Sequence, residues 1–442
     1  MTRVTVWVTV RIMLWETSRK RRTHPHSGKG PTPTCLTGVT PALSRNAWAT
    51  KFSPPILALP PTYASVDQRK HLVLQWYGCS TKSRARTTQG KAMKPVQLGL
   101  VGCGVIGQAH LRAAASLSHA RFVAVCDVRK EAAEHAAIQH GIANVYTDVD
   151  DLFAAPDIQG VVLALPAHLR TDLALRAFAT GKHVLTEKPV AMNAGEVRML
   201  IAARGELVAG CCSSRMRFLP SAQVATDFIA SGALGKLRLV RCRALVAARE
   251  PPSTPPPPWR LNRSLNGGGI LMNWGCYDLD YLFGILGWML QPQRVLAHMW
   301  TNVPAYAAYA APGSDAETHV TALVECAGDI ALSYERGEFM PTQTDEAWQI
   351  VGEQGALRLR MTPGAQKQIF HDTVSDHGTL SRVLWEGDED WEPAHRGPVA
   401  DFAAAIIERR QPLTSLEQAL VIQQLTDAIY QAATCGECVE VK

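Results

Sequence analysis

Three groups of residues have the types and spacing to do chemistry. Gly102-Cys103-Gly104-Val105-Ile106-Gly107 follows the apolar run Val96–Val101 and opens a stretch rich in Ala and Leu. Asp127 ends the next apolar run, 20 residues after Gly107. A lone GxGxxG is weak, but one set between a strand and a helix, with an acid closing the second strand, points to a dinucleotide site. Gly102 permits the tight turn, Gly104 lets backbone approach a pyrophosphate, and Gly107 allows close helix–strand packing. The helix start offers unpaired N–H groups and a positive dipole end to phosphates. Asp127 is suited to accept hydrogen bonds from adenine ribose hydroxyls, which favours NAD. Arg129 and Lys130 stand close enough to offset the repulsion of a 2′-phosphate, which leaves NADP open.

The second group is Glu187-Lys188-Pro189, at the end of the strand His183–Thr186. Open α/β sheets bind ligands at that carboxyl end. A lysine there can reach a nicotinamide and stabilise an alkoxide that forms as hydride leaves. The third group begins at Gly267-Gly268-Gly269, where a loop gives way to a helix carrying Asn273, Tyr277 and Asp280. Their i, i+4, i+7 spacing sets them on one face. Polar groups so aligned on an apolar helix form either a satisfied buried network or a site.

The elements that must position these groups change character along the chain. From Val96 to about residue 214, apolar strands alternate with helices such as Thr171–Thr180, the pattern of a doubly wound parallel sheet. After about residue 215 come Leu237–Val246, His298–Thr301, His319–Glu325, Ile330–Tyr334, Trp348–Gly352 and Ala356–Arg360, strands with few helices between them. These imply an open, mostly antiparallel sheet with one face against the first domain. Two helices close the chain, Val399–Arg409 and Ser415–Ala433, and prolines 251–258 mark a surface loop. The organisation expected is an extension (1–92), a nucleotide-binding Rossmann domain (93–214) and a substrate-binding α/β domain (215–442).

Residues 1–92 carry 15 Lys/Arg against 2 Asp/Glu, leaving 30 against 37 in the rest, so the net +6 describes the extension and not the folded body. A nucleic-acid role read from it is unwarranted. The extension lacks periodicity and holds Pro-rich and basic patches, so it buries too little surface to offset ordering entropy. It reads as an upstream segment ahead of Met93, with an organellar targeting segment and a nucleic-acid tail as rival readings. No apolar run is long enough to span a membrane. The 11 cysteines are scattered through apolar segments, as in a reduced cytoplasmic protein, and Cys435/Cys438 reads as a helix end entering a final strand. His110, His168 and His183 are dispersed, so no metal site is expected.

These motifs, in this order, resemble the Gfo/Idh/MocA oxidoreductases (glucose–fructose oxidoreductase and inositol dehydrogenase) over about residues 95–441. Ala164-Leu165-Pro166-Ala167-His168, Arg217-Phe218-Leu219-Pro220 and Gly232-Ala233-Leu234-Gly235-Lys236 add to the likeness. The resemblance implies a bound nicotinamide cofactor, a sugar, polyol or dihydrodiol-type carbinol as substrate, and homo-oligomers formed through the C-terminal sheet. It makes Lys188 the catalytic lysine. The usual Asp and His of the helix are Asn273 and Tyr277 here, which resembles the branch in which Tyr exchanges the proton. Trp259-Arg260 resembles that branch too, with the Arg beside the cofactor. The cofactor site implied comprises Gly102–Gly107, Asp127, Arg129, Leu165, Pro166, His168 near the nicotinamide ribose, Glu187, Lys188, Arg217, Trp259 and Arg260.

On this reading hydride passes between a substrate C–H and the nicotinamide while Tyr277 exchanges the hydroxyl proton. The Lys188 ammonium would lower the phenol from its ordinary pKa of roughly 10. Asn273 orients a substrate hydroxyl but takes no proton. Two rivals keep the scaffold: a cofactor-binding sensor without turnover, and a glycosidase that retains NAD.

Overall fold

The computed structural model describes residues 94–253, 256–301 and 304–442, so the readings of residues 1–92 lie outside the described residues. Strands and helices alternate first: β1 (Val96–Val101), α1 (Val105–Ala114), β2 (Ala120–Cys126), α2 (Lys130–His140), β3 (Asn144–Tyr146), α3 (Val149–Ala154), β4 (Gly160–Leu163), α4 (Ala167–Ala179), β5 (His183–Thr186), α5 (Ala194–Arg204) and β6 (Ala209–Cys211). The strands pair in parallel in the order β3-β2-β1-β4-β5-β6. They read as near-continuous apolar runs because helices cover both faces; Leu98, Leu100, Val161 and Val162 are fully buried. The order reverses between β1 and β4, which opens a crevice at the carboxyl ends where ligands of such sheets bind.

The second half comprises α6 (Pro220–Ala230), β7 (Leu237–Ala247), α7 (Arg263–Asn266), α8 (Cys276–Ile285), β8 (Pro292–Thr301), β9 (Glu317–Cys326), β10 (Ile330–Met340), β11 (Asp345–Gly352), β12 (Ala356–Leu359), β13 (Lys367–Ser375), β14 (Gly378–Gly387), α9 (Glu392–Glu408), α10 (Leu416–Cys435) and β15 (Val439–Glu440). Its nine strands run β14-β13-β12-β11-β7-β10-β9-β8-β15, antiparallel except for β7 with β10. The expected fold class is the one observed. Helix α8 is buried along its whole length, and Leu279, Leu282 and Phe283 share a core with Val240, Val320, Leu332 and Trp348 of the sheet. On the other face Leu296, Leu323 and Trp300 are exposed.

Several elements depart from the sequence expectations. Strands β13 and β14 were unmarked, because Lys, Asp, Ser and Thr interrupt any apolar alternation and β14 is largely exposed. Helix α9 begins at Glu392, ahead of the expected Val399, and carries Pro398 inside it. Packing outweighs the propensity penalty there: Gly397 and Pro398 are buried, and a Cβ on Gly397 would lie 2.1 Å from the Phe218 ring. Val399, Phe402, Ala403 and Ala405 of α9 complete the core around β1 and β2, so the chain returns at its end to cover the first sheet.

Candidate active site

The glycine loop is built as the fingerprint requires. Gly102 has φ +97°, and a Cβ there would meet the Ala164 carbonyl oxygen at 2.5 Å. A Cβ on Gly107 would lie 2.0 Å from the Gly102 carbonyl oxygen, so this residue serves helix–strand packing. One on Gly104 would meet nothing within 4 Å; that backbone faces open space. Helix α1 starts immediately after Gly104 and has no acid in its first turn, so its dipole end is free for an anion. Asp127 Oδ2 accepts from Cys103 N at 2.9 Å and Oδ1 from Arg129 N at 3.0 Å, tying the acid to the loop. The Cys103 thiol turns inward to the Cys126 carbonyl at 3.7 Å, and only its backbone serves the loop.

Two cavities meet over this loop, one of about 480 Å³ and one of about 720 Å³, sharing Gly102, Asp127 and Leu165. Gly104, Val105, Ile106, Arg129, Pro166, Glu187, Lys188, Trp259 and Asn273 line the first. His168 lines the other, on the Asp127 and Asp148 side, with Nδ1 2.9 Å from the Leu265 carbonyl. An open glycine backbone, an uncapped helix start and a ribose-height acid at one crevice fit a dinucleotide.

Lys188 stands at the end of β5, before a cis Lys188–Pro189 peptide. Its Nζ donates to both the main-chain O and the side-chain Oδ1 of Asn273, each at 2.8 Å, and lies 5.0 Å from the centre of the Tyr277 ring. Burial lowers the affinity of this amine for its proton; Arg215 and Arg170 push the same way, and Cys276 and Glu187 oppose them. Asn273 reaches Lys188 from a π-helical turn, Leu271–Gly275, that precedes α8. The wider turn breaks the expected single face. Asn273 meets the cavity, while Tyr277 and Asp280 enter buried networks.

Tyr277 therefore differs from expectation in its hydroxyl. That group is the partner of Arg215 Nη1 at 2.6 Å, and Tyr277 is absent from the cavity lining. Burial raises the phenol well above its ordinary value despite Arg215, the reverse of the lowering expected from Lys188. Desolvation of a phenolate outweighs one nearby cation.

Glu187 is the hub beneath Lys188. Its Oε1 takes both His110 Nε2, at 2.7 Å, and Arg215 Nη2, its Oε2 accepts from Lys188 N at 3.1 Å, and its main-chain oxygen accepts from Arg170. Burial alone would raise this carboxyl, but Arg215 and His110 hold it well below the usual carboxylate range. His110, Glu187 and Cys212 each present a ligand atom within 4.8 Å of the others. Arg215 and Arg170 already balance the carboxylate, and burial keeps the Cys212 thiol protonated, so the trio suits no cation. Arg215 and Arg170 were not singled out in the sequence, and His110 was named only as one of three dispersed histidines, since each is remote from Glu187 along the chain and none sits in a motif.

Two residues assigned to the cofactor lie elsewhere. Arg217 bonds Asp280, the Leu413 carbonyl and Thr414 and sits 5.5 Å from the Trp288 ring, filling a structural corner behind α8. Arg260 pairs with Glu338 on the sheet and lines a further cavity, while its neighbour Trp259 lines the first. The proline-rich loop is more than a surface crossing. Pro257 lines the first cavity, and Pro252 and Pro256 line the one at Arg260.

Comparison with known proteins agrees with this geometry. Residues 96–207 match the NAD-binding Rossmann-fold domain of the Gfo/Idh/MocA oxidoreductase family, and residues 222–358 match its C-terminal domain. The chain is 26% identical to the D-glucoside 3-dehydrogenase of Escherichia coli, over 78% of this chain and 98% of that protein. It is 41% identical to an inositol 2-dehydrogenase of Ralstonia nicotianae, over 24% of this chain and 33% of the relative. Identity to the levoglucosan dehydrogenase of Pseudarthrobacter phenanthrenivorans is 29%, over 43% and 52%. The chain thus spans about half the length, or less, of several curated relatives it matches. A levoglucosan dehydrogenase solved with NADH superposes with a TM-score of 0.70 at 22% identity, over 79% of this chain and 99% of the other. That likeness shows the fold.

The placement in a branch with tyrosine in place of histidine is corrected. A histidine is retained in the catalytic cluster: buried His110, bonded to Glu187, the residue before Lys188. It comes from α1 of the nucleotide-binding domain, so the spacing within the Asn273–Tyr277 helix carried no sign of it.

Proposed function

The chain belongs to the Gfo/Idh/MocA oxidoreductase family, and on that premise we propose that it is an NAD(P)-dependent oxidoreductase acting on a sugar or polyol C–OH. The observation that carries this reading is Lys188 Nζ, fixed by two oxygens of Asn273 in the same cavity as the glycine loop. A bound nicotinamide dinucleotide supplies the hydride acceptor or donor. Gly102–Gly104 and the start of α1 hold its phosphates, and Asp127, with lone pairs to spare beyond its two backbone bonds, takes a ribose hydroxyl. The acid favours NAD. Val105, Ile106, Leu165, Pro166 and Trp259 would wall the dinucleotide in the first cavity, and His168 in the second.

In the oxidation direction Lys188 Nζ, as the neutral amine, takes the hydroxyl proton, and in reduction it returns it. Burial and two nearby guanidinium groups favour that neutral form. Asn273 aims the amine without adding a carboxylate that would hold it charged. Tyr277 assists through its ring, against which the ammonium form rests, and its hydroxyl steadies Arg215. Glu187 holds the backbone of Lys188 in register.

Support for an assembly through the C-terminal sheet is the apolar outer face at Leu296, Leu323 and Trp300. A cytoplasmic setting accords with nine free cysteines among the described residues, seven of them buried. Among the described residues no helix is long and apolar enough to cross a membrane. The test is an assay of residues 93–442 and of the full chain for NADH formation across a polyol and aldose panel, alongside NADH fluorescence titration. Tight NADH binding with no turnover on any member would replace the enzyme reading with that of a sensor. Cleavage of an aryl glycoside without net NADH would replace it with a glycosidase.

A further inference from the structure

A third cavity, of about 460 Å³, lies beside the first across two pairs of neighbouring residues. Trp259 and Asn273 line the first cavity, and Arg260 and Trp274 line this one. The π-helical turn at Leu271–Gly275 thus sends one side chain to Lys188 and the next into the neighbouring space. Half-buried Trp274 and Phe339, with buried Ile270, give this cavity apolar surface. Two of its three arginines are already neutralised. Arg260 is paired with Glu338, and Arg336, which lies 4.7 Å from the Trp274 ring, is paired with Asp278 at 3.4 Å. Exposed Arg249 and Glu250 also line it, as does Glu346, which pairs with Arg360 at 3.1 Å.

We infer that this cavity seats the substrate and selects an uncharged polyhydroxylated ring, with Trp274 taking its C–H face and Arg260 its hydroxyls. The inference rests on the oxidoreductase reading and adds to it the groups that set specificity. An aromatic ring gives large contact area at little entropic cost, as a ring with an apolar face and polar edges requires. Arg260 remains about a quarter exposed with Glu338 fixing its fork, so it has guanidinium donors left for hydroxyl oxygens. A carboxylate or phosphate on the ligand would find Arg260 and Arg336 already paired and only the exposed, solvent-screened Arg249 to attract it, too little to offset its lost hydration.

The experiment measures binding, without turnover, by saturation-transfer NMR and calorimetry on the NAD⁺-loaded protein. The probes are methyl β-D-glucopyranoside, myo-inositol and sodium D-glucuronate. Expected are binding of a neutral probe, weaker binding of glucuronate, and a roughly tenfold loss of the neutral probe's affinity in Trp274→Leu. NADH affinity should stay unchanged in that variant. Arg260→Lys, which keeps a cation for Glu338, should weaken the neutral probe by severalfold. If Trp274→Leu fails to fold, Trp274→Phe and Arg260→Lys carry the test. Preferred binding of glucuronate, no binding of any probe, or affinities untouched in the variants each overturn the inference. Should the variants bind unchanged while the wild type still oxidises a carbinol with NAD⁺, only this cavity assignment fails; loss of NADH binding by the wild type would sink the oxidoreductase reading itself.

Discussion

Lys188 and Asn273 form one unit across the two domains: a single ammonium or amine nitrogen donates at 2.8 Å to both the main-chain and the side-chain oxygen of the asparagine. An amide side chain orients the amine as a carboxylate would, but adds no charge. Nothing on Asn273 therefore opposes the burial that loosens the Lys188 proton.

Asn273→Asp places a carboxylate against that nitrogen and should raise the Lys188 pKa, because an adjacent opposite charge favours the ammonium. Oxidation needs the neutral amine, so its rate rises with pH through this pKa. The acidic limb of the kcat/KM profile should move upward in the variant, with slower oxidation on its acid side. A pH–rate series on both proteins decides it; coincident limbs would contradict Lys188 as the base.

Removing the amine and removing the phenol hydroxyl should have unlike effects. Lys188→Met is expected to cost roughly 10²–10⁴ in kcat while NADH fluorescence still reports binding. Tyr277→Phe keeps the ring on Lys188 but strips Arg215 of a partner. Its main cost should be stability, about 1.5–3 kcal/mol in urea unfolding, with kcat changed less than tenfold. A loss in Tyr277→Phe equal to that of Lys188→Met would return the proton step to the phenol.

The roles of the second and third glycines of the loop are separable. Gly107→Ala sets a Cβ 2.0 Å from a backbone oxygen and should lower the melting temperature markedly. Gly104→Ala has room in the protein alone, so it should melt normally and lose NADH affinity, the added methyl occupying the place of the pyrophosphate. Equal NADH affinity in Gly104→Ala and wild type would remove the loop from the cofactor site.

Glu187 links the cluster to acid stability. Its carboxyl is depressed in the folded protein, so its contribution is fully present above the unfolded value of about 4.3 and is lost as pH falls toward the folded one. Glu187→Gln should destabilise by about 3–5 kcal/mol near neutrality, because Arg215 is left buried and unpaired. It should also flatten the fall in stability below pH about 4.3. Unfolding curves at several pH values measure both; an undiminished acid slope would place the titrating group elsewhere.

The glycine loop, Asp127 and Lys188 were legible in the chain itself. Each depends on local order: a turn between strand and helix, an acid at the next strand end, a lysine leaving a strand where parallel sheets bind ligands. The alternation of elements gave the first sheet for the same reason, since strands covered on both faces must be apolar throughout. The half-exposed hairpin β13–β14 has no such pattern and was missed. The buried network around Glu187 was equally unreadable, because His110, Arg170 and Arg215 reach it from α1, α4 and the turn after β6. Only folding sets those residues side by side, and with them it settled what spacing had left even: the Tyr277 hydroxyl belongs to a satisfied interior network, while Asn273, one π-turn earlier, meets the crevice. Local geometry follows from neighbours in sequence, but the partner of a buried charge is chosen by which distant elements pack against it.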